Sequence, residues 1–182
     1  MSSQQDSMAA DFLEFSCKKL LDQFWARLQR AVEPLTDEQI WWRPNPASNS
    51  IGNLILHLNG NVGQWLVASF SGLRDERNRP VEFNERRLIS KRELLERLGA
   101  TMKEAEAVLA RITPDHLARI YTIQGYTVTG LAAVYQTVEH FGLHYGQIVY
   151  IAKTLTGADL GFYSELNATG RTAHSSTHTT VP

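Results

Sequence analysis

Four long stretches of this chain repeat their apolar side chains with the period of an α-helix, and each is bounded by residues that start or stop helices. The first covers about residues 9–32, with Leu13, Leu20, Leu21, Phe24, Leu28 and Val32 on its stripe and Pro34 to end it. Ser50 is placed to cap a second, about residues 50–70, which carries Ile51, Leu54, Ile55, Leu58, Val62, Trp65 and Leu66. Ser90 and Glu93 have capping-box spacing and open a third, to about residue 112, striped by Leu94, Leu98, Met102, Ala105 and Leu109 and stopped by Thr113-Pro114. Thr127 or Thr129 caps the fourth, which runs to about residue 155 with Gly157 as its stop. Thr36 and Gln39 predict one short turn over residues 37–42, followed by an extended Arg43-Pro44-Asn45-Pro46 link. Residues 121–128 alternate weakly and read as a short extended piece; no strong strand run occurs. Helices with one apolar stripe each must bury those stripes against one another, so the expected fold is an all-α four-helix bundle.

The length of 182 residues suits one domain, expected over residues 1–159, with a C-terminal tail over 160–182 that is mobile or packed on the bundle. From residue 168 the tail is rich in Thr, Ser and His and has little to bury. The connection over residues 73–89 is long and rich in Arg and Glu, which in a compact domain marks a segment that is functional or ordered by packing. A net charge of −1 gives no electrostatic reason to expect a nucleic-acid partner. Arg86-Arg87 and Lys91-Arg92 are interleaved with glutamates and read as a solvated face. The single cysteine, Cys17, sits in a helical apolar pattern and reads as packing; it excludes an internal disulfide. Without a signal-like N-terminus or an apolar run of membrane length, the expectation is a cytoplasmic protein with no membrane partner.

The six histidines are unevenly placed. His140 and His144 are one helical turn apart on one face, close enough to share an ion. His57 lies mid-helix between Leu56 and Leu58. Neutral imidazoles are good ligands for divalent first-row metals, and three of them plus water form an open site of the catalytic kind. The bland alternative is a solvated surface pair and a hydrogen-bonded core histidine. Asn53, Asn61 and Gln64 near His57, and Thr137 and Gln147 near the pair, form polar stripes that need partners inside a bundle. His116 reads as a surface turn residue, and His174 and His178 as a coincidental pair in the tail.

Two stretches resemble the DinB-like family, also described as DinB/YfiT-like metalloenzymes. One is Trp42-Arg43-Pro44 followed by Asn49-Ser50-Ile51-Gly52-Asn53-Leu54 and on to His57-Leu58, Asn61 and Trp65. The other runs from Glu139-His140-Phe141-Gly142 through Leu143-His144-Tyr145-Gly146 to Gln147-Ile148. The resemblance covers about residues 11–156 and is strongest to an uncharacterised branch that shares the 77–83 connection with its arginines and Glu82. It implies an up-down-down-up bundle, often a homodimer, with zinc or nickel on His57, His140 and His144. Characterised relatives include thiol-dependent transferases and isomerases that use bacillithiol or mycothiol, and some glutathione-linked enzymes.

The residues support two classes of function. In a metal enzyme acting on a small molecule, the ion lowers the pKa of a bound thiol or water, and a low-molecular-weight thiol is then a candidate cofactor. Gln147 and Asn61 are the candidate catalytic polar groups. Arg43, Asn53, Gln64 and Arg77 are candidate substrate contacts, and Arg79 is a further guanidinium able to hold an acidic tail. Glu139 is next to His140 but points about 100° away round the helix, and no other carboxylate stands out as a base. That favours thiol transfer over hydrolysis, the alternative reaction. In the second class the bundle is non-catalytic, its ion is structural or sensory, and Trp41, Trp42 and Phe70 belong to a dimer surface. A structural ion calls for a fourth protein ligand, and the helices offer no good candidate.

Overall fold

The structure of the protein, a computed structural model, describes residues 3–164. Four long helices form, as the periodicity requires. Helix α1 runs through Ser3–Cys17, a π-helical stretch Lys18–Trp25 and Ala26–Val32. A short helix α2, Asp37–Ile40, carries the expected Thr36–Gln39 capping box. Helix α3 comprises Ile51–Val62, a π-helical stretch Gly63–Ala68 and Ser69–Ser71. Helix α4 is Arg79–Asn84, α5 is Lys91–Leu109 and α6 is Pro114–Ala118. Strands β1, Ile120–Ile123, and β2, Tyr126–Thr129, pair antiparallel before α7, Gly130–Thr156, which Thr129 caps and Gly157 ends.

Side-chain contacts fix the directions of the four long helices. Phe24 stacks on Phe141 and Tyr145, and Arg30, a turn and a half further on, bonds the Leu160 carbonyl just past α7, so α1 and α7 run parallel. His57 meets His140 and His144, whereas Trp65 meets Gln124 and Tyr126 just before α7, so α3 runs against α7. Asn59 bonds Thr101, while Phe70 shares a groove with Val108 and Ile112, so α3 and α5 run parallel. The order is up-down-down-up. Leu20, Leu28, Ile55, Leu58, Leu94, Leu98, Met102, Phe141 and Ile148 fill the middle with essentially no exposure. Each such side chain contributes about 2 kcal/mol of hydrophobic stabilisation.

Two parallel helices cannot be joined by a short turn. The chain leaving α3 must travel back along the bundle before α5 begins, which is the physical reason for the long 72–90 connection. This crossover packs on α3, and α4 is its only helical turn. Trp41 pins its far end, donating from Nε1 to the Ile89 carbonyl at 2.8 Å. Trp41 is thus core rather than docking surface; Phe70 packs on Tyr121, and Trp42 stays exposed. Cys17 packs against the core as expected, and burial raises its thiol pKa.

The weakly alternating 121–128 segment is a hairpin. Gln124 (φ 53) and Gly125 (φ 81) both take positive φ, as the tight turn that matches strand twist demands. Residues 160–163 lie against α1: Arg30 and Arg27 both face the Phe162 ring, and Arg27 donates to the Tyr163 hydroxyl at 3.3 Å. The remaining tail, with His174 and His178, lies outside the described residues. No described helix is long and apolar enough to cross a membrane.

Candidate metal centre

His57 is buried on α3 and faces His140 and His144, both half-buried on α7. One nitrogen from each ring falls within 4.8 Å of the other two. The rings meet edge to face, with centroids 4.5 to 5.0 Å apart. His57 Nε2 and His140 Nε2 are 2.8 Å apart, the distance of an N–H···N hydrogen bond between neutral imidazoles. Burial pushes the His140 imidazole down to about 4, helped by the nearby His144, His57, Arg77 and Arg79. Burial also lowers His144. These two rings are therefore neutral near pH 7, the form in which imidazole coordinates metals.

Their remaining nitrogens show how the rings are aimed. His57 Nδ1 lies 2.8 Å from Glu82 Oε2, so with an ionised carboxylate the proton sits on Nδ1 and the Nε2 lone pair points into the cluster. Burial works to raise the Glu82 carboxyl, but hydrogen bonds from Arg77 and His57 outweigh it and hold the group below the usual carboxylate range. Arg77 grips Glu82 with both Nε, 2.7 Å from Oε1, and Nη2, 2.9 Å from Oε2. Its Nη1 donates to Gln64 Oε1 at 2.9 Å, and the Gln64 amide donates in turn to Asp75. On α7, His144 Nδ1 donates to Gln147 Oε1 at 2.7 Å, which frees His144 Nε2. A carboxylate or amide behind a ligating imidazole fixes its tautomer and orientation.

Glu82 reaches His57 because α3 has no side chain at Gly60. A Cβ there would sit 2.0 Å from Glu82 Oε1 and 2.8 Å from Arg77 Nε. The residue three after His57 lies on nearly the same helix face, so Gly60 opens the gap through which the crossover approaches. Sequence reasoning named Glu82 only within a shared connection and gave it no role. The signal available was this glycine inside a helix, on the face of the suspected ligand.

The other predicted residues have definite places. Asn53 is fully buried: its Oδ1 accepts from the Ser50 amide and hydroxyl and from Arg43 at 2.6 Å, and its Nδ2 donates to the Glu82 carbonyl at 2.8 Å. Arg43 also reaches the Glu85 carbonyl. Arg43 and Asn53 thus anchor the crossover to the start of α3 and do not line the cleft beside the histidines, and Gln64 is spent on Arg77 and Asp75. Thr137 bonds back to its own helix through Ala133. Glu139 is exposed, and His116 belongs to the capping box of α6. Asn61 differs from these. It is buried, lines the same cleft as His57 and His140, and its Oδ1 has no hydrogen-bond partner. A buried acceptor in that state is costly unless a ligand or water satisfies it.

A cleft of about 950 Å³ opens beside the cluster, with His57, Asn61, Arg77 and His140 on one side and the hairpin and start of α7 on the other. Among the described residues no fourth His, Cys, Asp or Glu joins the three histidines. The donor set, the neutral rings and the unpartnered Asn61 oxygen together fit a divalent ion with an open side.

Similar folds occur in two crystal structures. A conserved protein from Enterococcus faecalis aligns with a TM-score of 0.66 at 19% identity, over 80% of this chain and 97% of that one. A DinB-like protein from Bacillus cereus aligns with a TM-score of 0.59 at 17% identity, over 75% and 88%. At such identities the likeness shows the fold. No curated protein matches the chain. A family model, described as a protein of unknown function (DUF1572), matches residues 7–165. The chain belongs to this DUF1572 family, and its all-α fold is that of the DinB-like proteins.

Proposed function

We propose that this protein is a divalent-metal-dependent enzyme acting on a small molecule, of the thiol-transferase type. The observation that carries the reading is the incomplete ligand set at a cleft: three convergent imidazoles, no fourth protein donor among the described residues, and an open side next to an unpartnered Asn61 oxygen. A site built only for stability closes its coordination sphere with protein, and a working site keeps a position free. His57, His140 and His144 would hold the ion, with zinc or nickel the best suited to imidazole ligands. When bound, such an ion supplies a Lewis acid that favours thiolate over thiol near neutral pH.

The chain's own groups then have separate tasks. Glu82 and Gln147 aim His57 and His144. Asn61 Oδ1 is free to accept a hydrogen bond from an incoming reactant and orient it. Arg77 lines the cleft but is bound to Glu82, and Gln64, Arg43 and Asn53 act behind it by fixing the crossover. Hydrolysis is the weaker alternative because it needs a general base. Among the described residues the carboxylate bonded to a ligand is Glu82, and it already has both oxygens engaged. A homodimer is proposed through the exposed Leu143 and Tyr150, which lie two turns apart on one face of α7. A non-catalytic bundle would use that same surface.

The test is an assay of untagged, zinc- or nickel-loaded protein with a low-molecular-weight thiol and chlorodinitrobenzene. The expected result is metal-dependent thiol consumption, abolished by chelation and slowed in Asn61→Leu. Turnover of an ester substrate with no thiol consumption would place the hydrolase reading first.

A further inference from the structure

The two arginines beside the histidines are in opposite states. Arg77 is buried, 4% exposed at its side chain, and its charge is matched by Glu82. Arg79 is exposed, lines the same cleft, and makes no ion pair among the described residues. Its guanidinium is parked over the Phe83 ring, 4.7 Å from the centroid. The Phe83 ring in turn packs 4.5 Å from His57. The cation is thus fixed to the wall of the histidine cluster by an aromatic spacer, with its N–H edges left for another acceptor.

The rest of the cleft is consistent with one occupant. None of its lining residues is Asp or Glu except through the matched Arg77–Glu82 pair behind it. Its far wall is aromatic: Trp65 is buried there, while Tyr126 and Tyr135 are both more than half exposed. One unmatched guanidinium suits one carboxylate, which it binds in bidentate fashion. Exposed tyrosine faces suit a flat apolar body.

We propose that the cleft binds a substrate carrying a carboxylate on an aromatic or similarly flat body, with Arg79 as the residue that recognises the carboxylate. This deepens the metal-enzyme reading by naming the class of substrate, yet it concerns a contact that does not require the ion. Arg79 selects the molecule, and the histidine cluster lies next to the carboxylate-bearing body.

Fluorine NMR of 4-fluorobenzoate provides the test, read on metal-free and zinc-loaded protein, with 4-fluorobenzamide as the neutral isostere and phenyl phosphate as competitor. Wild type is compared with Arg79→Gln and with Arg92→Gln, an exposed arginine on α5 outside the cleft. The expected result is millimolar binding of benzoate to metal-free wild type and to Arg92→Gln, weakened about tenfold in Arg79→Gln, the loss typical of one charge-assisted contact. The amide should bind wild type no better than benzoate binds Arg79→Gln. Equal binding of benzoate to wild type and Arg79→Gln, no binding at millimolar concentration, or a dependence on Arg79 confined to phenyl phosphate overturns the proposal. Zinc uptake is measured on the same samples. Protein that takes up no zinc yet binds benzoate through Arg79 keeps this inference and removes the metal reading; zinc uptake with indifference to benzoate does the reverse.

Discussion

The two halves of the histidine cluster are built to different standards. On the α3 side, His57 is 2% exposed and backed by a hydrogen-bond chain that runs from Glu82 and Arg77 of the crossover through Gln64 of α3 to the exposed Asp75. On the α7 side, His140 and His144 are half-buried, and among the described residues the one hydrogen bond behind them comes from Gln147, itself exposed. The first half is therefore coupled to the fold, because removing any member strands a buried charge or donor. The second half is coupled to the solvent and the cleft, and it can change without disturbing the core. A site arranged this way has one fixed ligand against which the other two can adjust.

The sharpest way to break the comparison is Glu82→Ala. It leaves Arg77 buried without its counter-charge and His57 without its acceptor. The expected loss is about 3–5 kcal/mol in denaturant unfolding, as for other broken buried pairs, together with a ~10–100-fold loss of metal affinity in competition titrations. An unchanged midpoint and affinity would mean that the α3 side is no better anchored than the α7 side. Gly60→Ala is expected to act in the same direction but less strongly, by about 1–3 kcal/mol, because its Cβ collides with Glu82 Oε1. In an open helical position the same change would stabilise by roughly 1 kcal/mol, so the sign of the shift alone decides whether the crossover truly closes on α3. Gln147→Ala tests the other half: metal affinity should drop about tenfold, while stability stays within about 0.5 kcal/mol because the residue is exposed. The smallest effect on folding is expected for Asn61→Leu. Its Oδ1 has no partner to lose, so thermal melting should show no loss of stability, although the transfer rate falls.

Much of the α7 half was legible in the sequence, and little of the α3 half's support was. The four helices, the caps at Thr36, Ser50, Ser90 and Thr129 and the stop at Gly157 follow from local chemistry, which acts over a few residues. His140, His144 and Gln147 occupy one helix, so their neighbourhood follows from helix geometry. Even there one local detail differed: Glu93 takes its carboxylate to Arg97 instead of completing the box with Ser90. Glu82 comes from a connection that has no periodicity, and its approach depends on the parallel course of α3 and α5, which no local signal encodes. Arg43 and Asn53 were legible as polar groups needing partners, but which partners they found depended on where the crossover landed. The hairpin was visible only as weak alternation, because just Ile123 among its strand residues is buried.

The most direct measurement is elemental analysis of untagged protein after reconstitution with zinc or nickel, comparing wild type with His57→Ala, His140→Ala and His144→Ala. The account predicts close to one equivalent of metal per wild-type chain and its loss in each variant. Wild type that stays metal-free while folded, or variants that retain the full equivalent, would contradict it.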